Sequence, residues 1–130
     1  MADRLFTLDE ALALLPVVKQ LIAEIQAAKG DLETRSAELE RLTALSGGNG
    51  HHAADISSTR EQLQKSAERL QALMSELDGL GVELKGIDDG LVDFPSRREG
   101  RTVYLCWRAD EETIEYWHDI EAGFAGRQRL

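Results

Sequence analysis

The stretch Ser46-Gly47-Gly48-Asn49-Gly50-His51-His52 decides the fold, because residues that tolerate positive φ gather there with nothing apolar to bury, and the spacing predicts a loop. On either side of it apolar residues return at helical intervals. Before it, Val18, Leu21, Ile25, Ala28, Leu32, Leu39 and Leu42 alternate three and four apart, with one step missed near Arg35. After it, Ile56, Leu63, Leu70, Leu77 and Leu84 recur every seventh position, with Ala67, Leu73, Met74 and Leu80 at the alternate step. If the chain folds back at Asn49, facing residues have numbers summing to about 98, and the stripes match on that hairpin geometry. Leu42 falls on Ile56, Ala28 on Leu70, Leu21 on Leu77, Val18 on Leu80 and Leu14 on Leu84. Arg35 falls opposite Leu63, where its aliphatic stem can lie along the seam with the charge in water. The expected fold is therefore mainly α: a long, coiled-coil-like antiparallel helical hairpin over residues 8–85 with a loop at 46–53.

Thr7-Leu8-Asp9-Glu10 opens the first arm with the S/T-x-x-E pattern of a capping box. Pro16 would clash with the carbonyl four residues back, so a short helix followed by a long one is expected there. Near the base the stripe widens to include Leu12, Leu14, Leu15, Val17 and Ile22, and something else must cover that end.

Residues 87–130 supply the cover. Leu91-Val92-Asp93-Phe94, the turn-rich Pro95 to Gly100 and Thr102-Val103-Tyr104-Leu105-Cys106-Trp107 read as a small β-hairpin. Val103, Leu105 and Trp107 should share one face, and Tyr104 and Cys106 the other. Asp110 is then read as the cap of a short helix ending near Gly123, followed by a tail. The whole of 1–130 is expected to be a single domain, with the β-hairpin and short helix packed at the base of the helical hairpin.

Composition narrows the function classes. Of 130 residues, 15 are Lys or Arg and 24 Asp or Glu, a net charge of −9, which works against nonspecific binding to nucleic acid or an anionic membrane. One Cys excludes an intramolecular disulfide and fits a reducing cytoplasm. The N-terminus lacks the pattern of a signal peptide, and no unbroken apolar run approaches the ~18 residues of a bilayer span. A cytoplasmic protein without nucleic-acid or membrane partners is expected.

The C-terminal third carries recognisable residues. Gly90-Leu91-Val92-Asp93-Phe94-Pro95, Gly100, Val103-Tyr104-Leu105-Cys106-Trp107, Tyr116-Trp117-His118 and Gly123-Phe124-Ala125-Gly126-Arg127 together resemble the bacterial family known as domain of unknown function 2203. The Thr7-Leu8-Asp9-Glu10-Ala11 opening and the Leu14-Leu15-Pro16 step also match, and the arms match in pattern. The resemblance supports the fold and the importance of the C-terminal motifs and implies no activity or catalytic residue.

Chemistry-bearing residues gather in the same third. On a final helix Ile114, Trp117, His118 and Glu121 would share one face, so His118 is either a hydrogen-bonded structural histidine or, with Glu121, part of a divalent-metal site. Asp93 or Cys106 from the β-hairpin would supply further ligands, although free Cys is commonly a small buried hydrophobe. Asp93 and Arg127 can pair as carboxylate and guanidinium; alternatively Arg127, Arg129, Arg97 and Arg101 form a small anion site. His51 and His52 in the tip loop read as solvated. No Walker motif, HExxH, Ser-His-Asp order or zinc-finger spacing is present.

The preferred functional expectation is a non-enzymatic interaction or scaffold module that uses the hairpin for self-association, as a dimer, or for a protein partner. The alternative is a small-ligand or divalent-metal site in the C-terminal cluster; otherwise no cofactor is expected.

Overall fold

A computed structural model describes residues 4–47, 50 and 52–130. The first helix, α1, spans Leu8–Ser46, and the second, α2, spans Ala53–Gly79. Thr7 and Glu10 form the capping box as expected: Thr7 Oγ1 accepts from the Glu10 amide and the Glu10 carboxylate accepts from the Thr7 amide at 2.8 Å. Gly47, at φ 52°, ends α1 in the left-handed conformation that glycine adopts at least cost. The hairpin follows the sequence reading, while Gly48, Asn49 and His51 of the expected 46–53 loop lie outside the described residues.

Pro16 does not divide the first arm. It sits exposed within one continuous 39-residue helix, about 58 Å long, so the expected pair of helices is replaced by one. A single missing backbone bond is outweighed by flanking residues Ala11, Leu15, Val18, Leu21, Ile22 and Ile25, all buried in the core. One stretch of α1 is, by length and composition, long and apolar enough to cross a membrane. Of that stretch 39% is buried within the protein.

The largest departure is in the last third, where a five-stranded antiparallel sheet in sequential order replaces the expected β-hairpin and helix. Its strands are β1 (Glu83–Gly86), β2 (Leu91–Arg98), β3 (Arg101–Trp107), β4 (Tyr116–Asp119) and β5 (Gln128–Arg129), with a 3₁₀ turn at Phe124–Gly126. The second helix stops at Gly79 rather than near residue 85, because Gly81 at φ 89° turns the chain into β1, where Leu84 pairs with Val92. The final helix expected from Asp110 to Gly123 is absent, and Tyr116–Asp119 instead pairs with β3. The central hairpin of β2 and β3 is as read, in register from Val92↔Trp107 to Arg98↔Arg101.

Strand alternation sorts the sheet into two faces. Val92, Phe94, Val103, Leu105, Trp107 and Trp117 pack into one core with Val18, Leu21, Ile22, Ile25, Leu73 and Leu77 of the helices. The N-terminal segment is tied to β2 beyond the end of β1. The Phe6 amide donates to the Pro95 carbonyl at 2.7 Å, and Ser96 Oγ donates to the Phe6 carbonyl at 2.6 Å. Pro95 is tolerated inside β2 because its missing N–H lies on that edge, where β1 has already ended.

Towards the tip the hairpin thins to two polar-seamed helices. Arg35 Nη1 donates to Gln62 Oε1 at 2.8 Å, one residue from the Leu63 expected opposite it, and Ser66 Oγ donates to Asp31.

A candidate metal centre on the outer face of the sheet

The face turned away from the helices is built from the other half of each strand's residues. Register places Glu83, Asp93, Cys106 and Tyr116 in one row across β1 to β4, with Tyr104 and His118 in the next row. Asp93, Cys106 and His118 each offer a ligand atom, all within 4.8 Å of one another, and all three residues are buried. The helical spacing puts His118 on a helix, whereas the residue lies in β4, and the strand serves the cluster better. Alternation turns Trp117 into the core and His118 onto the outer face, whereas a helix would have grouped both with Glu121.

The hydrogen bonds fix the imidazole's state. His118 Nδ1 lies 2.8 Å from the Asp119 carbonyl, which can only accept, so Nδ1 carries a proton and donates it. His118 Nε2 stands 3.0 Å from Asp93 Oδ1, and one proton shared between them completes that bond. Burial pushes the Asp93 carboxyl upward against the lowering pull of His118, Cys106 and Lys85. Burial and the Asp93 charge push the Cys106 thiol up to about 12, while the Arg127 guanidinium pulls it down. Without a metal, Cys106 is thus a protonated donor to Asp93 and not a nucleophile.

Polar partners surround the three. Tyr104 Oη donates to the Glu83 carboxylate at 2.9 Å, and Lys85 pairs with the same carboxylate at 2.9 Å. Arg127 pairs with Glu111, and its guanidinium lies 3.9 Å over the Tyr116 ring and 4.5 Å over Phe124. Glu111 Oε1 in turn accepts from the Arg108 amide at 2.9 Å.

Of the residues singled out in the sequence, Asp93, Cys106 and His118 come together, and Glu121 does not. Glu121 is exposed in the turn after β4, because the i, i+3, i+4, i+7 face exists only on a helix. The expected Asp93–Arg127 pair is not formed: Asp93 meets His118 and Arg127 meets Glu111. The four arginines find separate acceptors, Arg97 the Gly100 carbonyl, Arg101 Asp119, and Arg129 the Tyr116 hydroxyl. Glu111 was missed as a site residue. It reads as a first-turn helix acid, and no spacing links it to an arginine 16 positions away.

Fold and site together describe a helical hairpin seated on one face of a small antiparallel sheet, with a buried Asp-Cys-His cluster on the other. The chain belongs to the family described as uncharacterized conserved protein (DUF2203), which it matches over residues 4–130. It is also 25% identical, over 93 residues, to a 3-phosphoshikimate 1-carboxyvinyltransferase of Clostridium novyi (strain NT), in a match covering 62% of this chain and 21% of that enzyme. The chain thus spans about a fifth of the length of that relative. No solved structure matches it.

Proposed function

We propose that this protein binds one divalent transition-metal ion through Asp93, Cys106 and His118. The observation that carries the reading is the convergence of three different ligand types, from three adjacent strands, within 4.8 Å. A thiolate, an imidazole and a carboxylate suit Zn²⁺ or a neighbouring late first-row ion and not Mg²⁺ or Ca²⁺, which take oxygen ligands. The donation from His118 Nδ1 to the Asp119 carbonyl leaves Nε2 as the ligand atom, the outer-shell arrangement that orients metal-bound histidines. The ion takes the place of the proton between His118 and Asp93 and displaces the one on Cys106. Three protein ligands leave a fourth position for water or a small ligand. A reduced thiol is required, which fits the expected cytoplasmic location.

Equilibrium dialysis against Zn²⁺, with metal counted by mass spectrometry, tests this. One ion per chain is expected for the wild type and none for the Cys106→Ser/His118→Gln double variant; equal uptake by both, or none by either, refutes it.

A second reading concerns the hairpin, which we propose as a self-association surface for a second copy of the chain. Along the distal arm Leu32, Leu39, Ile56, Leu63 and Leu70 are only half-buried, and this incomplete burial of a heptad stripe is what supports it. Sedimentation velocity at micromolar concentration should give a dimer that Leu32→Glu/Leu63→Glu dissociates; a monomer at every concentration removes the reading.

A further inference from the structure

Arg127 has a hydrogen-bonding group that the fold does not use. Its side chain is 9% exposed, Nη2 is committed to Glu111, and Nη1 is buried with no hydrogen-bond partner among the described residues. A desolvated guanidinium N–H without an acceptor is costly, and such a group calls for a ligand. The guanidinium carbon lies 3.9 Å from the centre of the Tyr116 ring and 4.5 Å from that of Phe124, contacts that give Nη1 no acceptor.

Its position places it beside the metal ligands. Tyr116 is the direct cross-strand partner of Cys106, so the ring beneath Arg127 and the Cys106 thiol are neighbours on the same face.

We infer that Asp93, Cys106, His118 and Arg127 together form a site for a small carboxylate, one oxygen completing the metal's coordination and the other accepting from Arg127 Nη1. Asp93, Cys106 and His118 are buried and the Arg127 side chain is 9% exposed, which favours a small ligand. A tetrahedral phosphate presents more charged oxygens than a single free N–H can satisfy.

This inference rests on the metal reading, and the test separates the two. Co²⁺-loaded protein is titrated with formate, acetate and phosphate while the visible ligand-field spectrum is followed. Formate and acetate should change the spectrum saturably and phosphate should not. Arg127→Gln paired with Glu111→Gln, which strands no buried charge, should bind Co²⁺ as the wild type does and bind acetate at least tenfold more weakly, with an unchanged circular dichroism spectrum. Arg127→Lys, which keeps the charge and the pair but loses the planar fork, should weaken acetate binding to a similar degree. Wild-type affinity for acetate in both variants, or a Co²⁺ spectrum indifferent to carboxylates, overturns the inference and leaves the metal centre standing; failure to bind Co²⁺ removes both.

Discussion

His118 Nε2 and Asp93 Oδ1 stand 3.0 Å apart, with both side chains almost wholly buried. A carboxyl held above its ordinary value of 3.8 by burial binds its proton more tightly folded than unfolded. Its contribution to stability is therefore complete below pH 3.8 and is lost as pH rises through the raised folded value. Asp93→Asn keeps a donor for His118 and an acceptor for Cys106 without ionising. In chelator its stability relative to the wild type should rise between pH 4 and 7, by about 1.4 kcal/mol for each unit of the shift. Urea denaturation at the two pH values measures this, and a relative stability that falls with pH contradicts it.

Cys106 should resist alkylation in the native state. A thiol moved from 9.0 to about 12 has a thiolate fraction lower by about a thousandfold at pH 8, and its full burial slows reagent access further. Iodoacetamide labelling should wait for unfolding, tracking the denaturant transition. Labelling of the native metal-free protein at the rate of a free peptide thiol would place Cys106 outside the network described.

Gly90 fixes the β1–β2 turn against α1. Its φ is +64°, and an added Cβ would lie 2.6 Å from the Ala109 Cβ and 3.0 Å from Ile22 Cγ2. Gly90→Ala therefore combines left-handed strain with overpacking and should cost about 2–4 kcal/mol. Gly100→Ala, where the added Cβ meets nothing within 4 Å, should cost about 1 kcal/mol from its φ of +80° alone. Equal losses in thermal denaturation would show that contact at Gly90 is not the deciding effect.

The hairpin should be unevenly stable along its length. Leu77 is fully buried at the base, so Leu77→Ala should cost about 3–4 kcal/mol. Leu63, half-buried on the distal arm, should cost less than about 1.5 kcal/mol on the same change. Denaturant midpoints with an unchanged slope report both, and comparable losses would indicate that the arm is covered in solution.

The parts of the fold legible in the sequence were those long enough for a period to declare itself. The heptad stripes from Val18 and from Ile56 gave the hairpin, and the alternation of Val103, Leu105 and Trp107 gave the two faces of β3. Tyr116–Asp119 is four residues long with Trp117 and His118 both buried, on opposite faces. No polar and apolar alternation survives in such a strand, and the chance helical spacing from Ile114 to Glu121 filled the gap. Leu84 continued the seven-residue repeat by coincidence, and Gly81 set the true boundary. For the site, Asp93, Cys106 and His118 were visible as ligand types, but their meeting depends on strand register across three strands, which spacing does not encode.

Cobalt titration of the metal-free protein tests the central claim most directly, because a thiolate bound to Co²⁺ produces an intense near-ultraviolet charge-transfer band. The account predicts that band, saturating at one Co²⁺ per chain in the wild type and missing in Cys106→Ser. A wild-type titration without the band, or a Cys106→Ser titration that retains it, would contradict the metal centre assigned to the outer face of the sheet.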